Sequence, residues 1–298
     1  VSSEAESPGW QTDAPAELLA AYAETVPPGW PRPDGPDDAA FFRRAFRALP
    51  PVGPGLMTGY YEPELAARLA PDATYRFPLH TPPPAFTSPW FTRAEIETRG
   101  HLTGHEIVWV ASALDAFLAQ VQGSVRARLP DGSVLRLGYA GKNGHPYTSI
   151  GQELVRRREV PQDRISVPAI RAWCAANPDR MRDLLWSNAS YVFFRILDLP
   201  PDLPPDLGPV GAAGAPVTPL RSIAVDPDLV PLGAPVWVDA PGQPGFPRLT
   251  VAQDTGSAIK GPGRADLFCG SGDVAGERAG GLAAPCHLTV LLPRGDVP

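Results

Sequence analysis

The sequence predicts a mainly β protein with some α structure, divided into two domains, one of them a small β-barrel. Thirty-nine prolines in 298 residues are too many for a helical bundle and require strands, turns and long connections. The length exceeds the usual single domain, and two modest domains can each bury a core. The last hundred residues hold the short β runs RSIAV, APVWVDA, RLTVAQD and HLTVLLP, separated by Gly and Pro turns, which is barrel texture.

From the N-terminus, Ala14 to Glu24 and Asp37 to Leu49 read as helices, the second gathering Phe41, Phe42, Phe46 and Leu49 on one side. GLMTGYYEPEL (55–65) reads as a strand ending at Glu62-Pro63, and extended, proline-broken sequence follows to about Trp90. HEIVWVAS is a strand, and ALDAFLAQV is a helix with Leu114, Phe117, Leu118 and Val121 on one face. SVRARL and SVLRLGYAG form a hairpin turning at Asp131-Gly132. Helices follow at Ser149 to Arg158, Val167 to Ala176 and Asp179 to Trp186, with Pro161 and Asn177-Pro178 between them, and SYVFFRIL is a buried strand. The stretch 197–217 is so rich in Pro, Gly and Ala that it is expected to be a connection and the domain boundary.

Charge and composition exclude several functions. A net charge of -6, with only the short triplet Arg156, Arg157, Arg158, offers no surface for nucleic acid. No run of eighteen apolar residues is present to span a membrane, and the opening VSSEAESP is no signal peptide, so any secretion signal is expected outside this chain. Cys174, Cys269 and Cys286 lack the spacing of a zinc site, and Cys174 reads as a buried thiol on a helix. His101 and His105 resemble an HxxxH pair, but the segment runs into a strand and the rings would not converge; no metal is expected. His80 and His287 carry no signal.

The ribbon from Gln253 to Gly280 is the sharpest feature: a strand ends at Asp254, a Gly-rich loop follows, and Asp266 restarts extended structure. Taken alone, a strand-end Asp is more often a turn former than a catalyst. The Gly270, Gly272, Gly276 spacing is not that of a dinucleotide site.

Several separated blocks add to this reading: TGYYEPEL, VQGS, YAGKNGHPYTSIGQELV, SNASYVFFR, AVDPDLVPLG, QDTGSAIKG and ADLFCGSGDVAGERAG. In this order, from about Thr58 to Leu292, they resemble the membrane-bound lytic murein transglycosylase A family with its C-terminal 3D domain. The resemblance implies a double-psi β-barrel domain (1–63 plus 199–298) interrupted by a second β-rich α+β domain (64–198), with a substrate groove between them. It implies non-hydrolytic cleavage of the β-1,4 bond between N-acetylmuramic acid and N-acetylglucosamine, leaving 1,6-anhydro ends. Asp266 would act as acid and then base, with Asp254 supporting it and Asp226 structural. Thr58, Tyr60, Tyr61, Gln122, Gly123, Ser124, Lys142, Asn143, His145, Gly256, Ser257 and Lys260 would contact glycan, although strand alternation favours packing for one of the two tyrosines. No cofactor is implied, and the expected partners are peptidoglycan strands and other cell-wall enzymes. The expected state is a monomer in the periplasm or at the outer membrane of a Gram-negative envelope.

The chain departs from the family pattern at Cys269 and Cys286, which together imply a disulfide between them. Two rival functions stay open. One is a wall-binding module without turnover, and the other a hydrolase using Glu62 or Asp273 as a second carboxylate.

Overall fold

The computed structural model describes residues 9–10, 13–198 and 207–295. The chain forms two compact units, Val1–Tyr61 with Leu203–Pro298, and Glu62–Asp202. The first begins with helices α1 (Ala16–Glu24) and α2 (Phe41–Ala45), then strands β1 (Phe46–Ala48) and β2 (Val52–Glu62). The helix expected to run to Leu49 therefore stops at Ala45. Phe46 is extended and Phe46–Ala48 pair antiparallel with Leu291–Pro293, because backbone groups there find sheet partners while the Phe46 ring stays packed among Tyr22, Phe41 and Phe42.

The second unit contains β3 (Glu64–Arg68), β4 (Phe77–His80), α3 (Arg93–Arg99), β5 (Glu106–Val110), α4 (Ala113–Gln122), β6 (Ser124–Arg128), β7 (Val134–Lys142), α5 (Ile150–Arg156), α6 (Val167–Ala176), α7 (Pro178–Trp186) and β8 (Val192–Ile196). Its sheet has the order β4-β5-β3-β6-β7-β8. Local chemistry starts the helices where they start: Thr92 forms a capping box with Glu95, and Ser112, Ser149 and Ser166 accept from the third backbone N–H of α4, α5 and α6. The Asp131 carboxylate accepts from Ser133 N at 2.9 Å and Gly132 takes φ 85°, which together make the β6–β7 turn. One face of α4 sends Ala116 and Ala119 to the sheet, while Leu114 and Phe117 join Leu154, Trp173 and Leu184 of the helices beside it.

The chain then returns to the first unit through β9 (Ser222–Val225), β10 (Pro235–Asp239), β11 (Arg248–Thr255), β12 (Arg264–Ser271), α8 (Gly272–Gly281) and β13 (Ala283–Pro293). Strands run in the order β13-β10-β11-β9-β12-β2, and β2 also pairs with β13, so six strands close a barrel with β1 added outside β13. Closure leaves no free edge among the six. Met57, Ile223, Val236, Ala252, Leu267 and Leu288, one from each strand, meet in its interior. Outward Trp237, Leu249, Val251 and Leu291 are covered by Leu18, Leu19, Tyr22 and Phe42 of α1 and α2.

Helix α8 replaces what reads in sequence as Gly-rich extended chain. Of its four glycines Gly276 is interior, unfavourable there by about 1 kcal/mol, and packing supplies the helix's stability. Ala275 and Ala279 are buried, a Cβ on Gly276 would sit 2.9 Å from the Tyr61 ring, and one on Gly59 would sit 2.8 Å from Ala279 Cα. The glycines let helix and β2 approach closely.

Residues 207–217 are also more than a connection. Val210 bridges to Pro216, and Gly208 lies where any side chain would meet the Phe268 ring at 2.4 Å. Residues 199–206, which hold the expected boundary, lie outside the described residues. Among the described residues no helix is long and apolar enough to cross a membrane.

Candidate active site

The site lies on the outer face of the barrel, and strand register builds it. Ala224 on β9 is paired with Asp254 of β11 on one side and with Asp266 of β12 on the other. The two carboxylates thus stand at one level, two strand spacings or about 9–10 Å apart at their Cα atoms. Asp266 gets there by simple alternation, its neighbours Ala265 and Leu267 pointing inward. Asp254 needs a device: two residues beyond inward-facing Ala252, it should also face in. A bulge at Gln253 shifts the register between Ala252 and Asp254, and turns the carboxylate outward. Gln253 itself is fully buried, its amide donating to Ala21 O at 2.8 Å and to Thr25 Oγ1 at 3.1 Å, which locks the bulge to α1.

Strand β2 supplies the other two members. Thr58 and Tyr60 share a face, Thr58 Oγ1 donating to Asp266 Oδ1 at 2.5 Å and Tyr60 Oη to Asp254 Oδ2 at 2.9 Å. The Tyr60 ring packs on Phe268, with Val217, Ala224 and Ile259 around them, so the polar groups rest on an apolar floor.

The two acids differ in how they are held. Asp254 accepts from Tyr60, from Ala212 N at 3.1 Å and from its neighbour Thr255 N at 2.9 Å. Burial nevertheless pushes its carboxyl up, against those hydrogen bonds. Asp266 accepts from Thr58 alone among the described residues, and Oδ2 has no hydrogen-bond partner there. Burial pushes it up to about 6, the Thr58 hydrogen bond and Arg264 pulling down and Asp254 adding a little upward. An acid that keeps its proton near neutral pH, with one oxygen uncommitted, can give that proton to a ligand.

Arg264, which the sequence reading passed over, decides the direction of the hydrogen bonds. Its Nη2 donates to Thr58 Oγ1 at 2.8 Å, and its Nη1 to Leu56 O at 3.1 Å and Ala265 O at 2.5 Å. A guanidinium only donates, so Thr58 accepts from it and must turn its own proton to Asp266 Oδ1. The acidic proton of Asp266 is thereby left to Oδ2. A second missed contact is the Ala212 backbone N–H on Asp254; only the GAAGA composition, which permits a backbone to lie close to a side chain, hinted at it.

Other expected site residues fare differently. Tyr61 points away from Asp266, its ring packed on Gly276 of α8, so it does not line this face. Lys260 spends its ammonium on Asp226 at 2.8 Å and Asp228 at 3.6 Å instead of waiting for a ligand carboxylate. Asp226 also accepts from Gly261 N at 2.9 Å, and with Lys260 this holds its carboxyl below the usual range while tying the β9 end to the loop after β11. Gly256 and exposed Ser257 lie in that loop.

In the second unit, Asn143 is a structural pin: fully buried, it donates to Phe91 O and Ala189 O at 2.8 Å each and accepts from Tyr191 N at 2.8 Å, leaving nothing for glycan. His145 Nε2 bonds Trp90 O at 2.8 Å. Lys142 ends β7, half-exposed and paired with Val192, and Gln122 ends α4 before the left-handed Gly123. Ser124 is buried at the start of β6, its hydroxyl without a hydrogen-bond partner among the described residues.

The rival carboxylates are also placed. Glu62 is fully buried and accepts from Arg126 Nε at 2.6 Å and Arg136 Nη2 at 2.9 Å, which neutralises it in place, and Asp273 is exposed in the first turn of α8. His101 stacks on Phe91 at 3.8 Å and His105 lies against Thr81, so the two histidines serve different contacts.

The disulfide implied between Cys269 and Cys286 is absent; both thiols are free and buried. They sit on β12 and β13, which flank β2 on opposite sides, so two strand spacings separate them. Cys286 is level with Gly55 while Cys269 lies by Gly59, adding a displacement along β2. Together these exceed the reach of about 7 Å between Cα atoms that a bridge allows. Burial pushes the Cys269 thiol up to about 12 and Cys286 to about 11.

Comparison with known proteins bears on the whole chain. Residues 56–195 match the family model described as the MltA specific insert domain, and residues 221–292 match the 3D domain. The membrane-bound lytic murein transglycosylase A of Vibrio cholerae is 35% identical over 239 residues, 76% of this chain. The match spans 62% of the length of that curated relative. The structure is similar to that of a membrane-bound lytic murein transglycosylase from Agrobacterium tumefaciens, with 35% identity and TM-score 0.79, covering 94% of this chain and 84% of that one. It is also similar to Escherichia coli MltA crystallised with bound chitohexaose, with 27% identity and TM-score 0.79, covering 94% of this chain and 89% of that one. A closed barrel carrying a 3D segment, interrupted by an MltA insert and shared at this identity over most of a solved relative, leads to one statement: the chain belongs to the membrane-bound lytic murein transglycosylase A family.

Proposed function

We propose that this chain is a lytic transglycosylase that cleaves the β-1,4 bond between N-acetylmuramic acid and N-acetylglucosamine in peptidoglycan without water. The observation that carries the reading is Asp266, a carboxyl raised to about 6 with one uncommitted oxygen. In the first half-reaction Asp266 Oδ2 gives its proton to the glycosidic oxygen, which leaves with the bonding electron pair. The acetamido group of the muramoyl ring stabilises the cationic carbon. In the second, the Asp266 carboxylate takes the proton of the C6 hydroxyl and that oxygen bonds to the same carbon, closing the 1,6-anhydro ring. One residue serves as acid and then base, and Asp266 ends protonated as it began.

A hydrolase would need a second carboxylate to activate water or attack carbon. Glu62 is engaged by two arginines and Asp254 by three donors, which favours the one-acid route. Asp254 holds Tyr60 and residues 211–213 around the acid, and Thr58 and Tyr60 border the sugar. A peptidoglycan substrate places the enzyme in the cell envelope.

Digestion of purified sacculi with mass spectrometry of the released sugars tests this. Muropeptides lighter by one water than the reducing-end products are expected, and reducing ends alone would refute the transglycosylase reading.

A further inference from the structure

The Glu62–Asp202 unit holds an open pocket of about 550 Å³ between β4, β5, α3, α4 and α7. That volume is within the range of small-molecule sites, about 300–1,000 Å³. Its lining includes a chain of polar side chains, Arg93, Gln120, Tyr191 and His80, each no more than 8% exposed. Arg93 Nη2 donates to Gln120 Oε1 at 2.6 Å, and its other N–H groups go to Asn188 O, Ser190 O and Glu97. Because a guanidinium only donates, Gln120 must turn its oxygen to Arg93.

Tyr191 Oη, buried, has His80 Nδ1 at 2.8 Å as its hydrogen-bond partner among the described residues, so its O–H donates there instead of staying unpaired. Burial holds His80 down at about 4, so the imidazole is neutral and carries its one proton on Nε2. No protein group among the described residues takes that proton, and His80 lines the cavity.

The Tyr191–His80 pair thus leaves a neutral donor, His80 Nε2–H, facing a space with Phe77, Phe117 and Trp186 in its lining. The charges of the lining balance, Arg76, Arg93 and Arg182 against Glu97, Glu106 and Asp179. Balanced charge disfavours an ion as ligand. A sugar ring has C–H groups for the apolar part of the lining and oxygens for the donor. We propose that this cavity is a saccharide-binding site for one or two uncharged rings, oriented by His80 Nε2–H. It rests on the glycan reading above and gives the inserted unit a sugar site of its own.

Long-range ¹H–¹⁵N spectra of the full chain labelled at histidine, with the His80→Gln variant for assignment and N,N′-diacetylchitobiose as probe, test it directly. The expected result is an Nε2–H tautomer for His80 and a saturable shift of its signals on addition of the disaccharide. Ala113→Trp, in the lining on the first turn of α4, should weaken that binding at least tenfold, with Ala116→Trp as a second obstruction. An Nδ1–H tautomer, no shift at millimolar probe, or an undiminished shift in both tryptophan variants would overturn the proposal. So would a response to a carboxylate-bearing peptide with none to the disaccharide. Failure of the transglycosylase reading would show in the sacculus digest and leave the His80 titration unchanged, so the two can fail separately.

Discussion

Glu62 and Asp266 are carboxylates removed from water in different units, and they are compensated in opposite ways. Glu62 has two guanidiniums on it, at 2.6 and 2.9 Å. Asp266 has one neutral hydroxyl, while the nearby Arg264 spends its N–H groups on Thr58 and two carbonyls. A buried charge with its counter-charge is an anchor; a buried acid without one keeps its proton and becomes reactive. The contrast separates structural from chemical carboxylates without reference to sequence motifs.

The largest expected effect breaks the Asp266 side. Asp266→Asn should lower the rate of sacculus digestion by about 10³–10⁴-fold while glycan binding, measured by titration with a soluble oligosaccharide, stays within a few-fold. Digestion within tenfold of wild type would end the case for Asp266 as the acid. On the other side, Glu62→Gln removes the buried carboxylate charge that Arg126 and Arg136 share and should lower unfolding free energy by about 3–5 kcal/mol in denaturant titration. A loss below about 1 kcal/mol would mean the ion pairs do not anchor the unit.

A smaller effect belongs to the residue between these extremes. Asp254→Asn keeps the shape but weakens the Tyr60 and Ala212 contacts, and its rate should fall by on the order of 10–100-fold through misplacement. Tyr60→Phe should show a similar fall, since it removes the same hydrogen bond from the other end. A Tyr60→Phe rate equal to wild type would indicate that Asp254 acts by another route.

Much of this frame is legible in the residues, for reasons that can be named. The β6–β7 hairpin announces itself at Asp131-Gly132, α6 by Ser166 and Pro168, and the strands of the barrel by β-branched runs between Gly and Pro turns. Asp266 stands out only through the resemblance carried by the separated blocks, and alternation with Ala265 and Leu267 accounts for the face it takes. The rest depends on tertiary partners. No local pattern marks Gln253 as a bulge, because the extra residue is defined by its pairing with β9 and by the Ala21 carbonyl that receives its amide. Helix α8 contradicts its own propensity and exists through contact with β2. Asn143, in a block that reads as ligand-facing, is drawn inward by three backbone groups. Arg264 looks like any strand-end cation until Thr58, 206 residues away in sequence, is set beside it.

The raised acid should also cost stability. Asp266 binds its proton more tightly folded, at about 6, than unfolded, near 3.8. Below both values the two states are equally protonated and nothing is lost, and as pH rises from about 4 to 6 the folded state progressively gives up stability. Asn carries no such penalty. Asp266→Asn should therefore be more stable than wild type at pH 7 by about 1–3 kcal/mol, the upper end being two pH units at about 1.4 kcal/mol each and the lower allowing for partial exposure. The gap should close below pH 4, and a pH-independent difference would point to packing instead.

The smallest effect sharpens the comparison, because it concerns Arg264, a positive charge beside Asp266. Arg264 lowers the carboxyl both directly and by orienting the Thr58 hydroxyl toward it. Removing the guanidinium removes both influences in the same direction, so the acid should titrate higher. Since the donor must be protonated to act, kcat/KM of wild type should fall as pH rises through about 6. In Arg264→Gln that limb should move upward by up to about one pH unit. Arg264→Lys, which keeps the charge but not the forked geometry, should recover only part of the displacement. Were Arg264 simply a brace for β12, both variants would lose rate at every pH and leave the limb in place. Were it a counter-ion of the kind that Arg126 and Arg136 are to Glu62, its loss would unfold the barrel instead of retuning one acid. A displaced limb on a stably folded protein distinguishes orientation of an acid from its neutralisation.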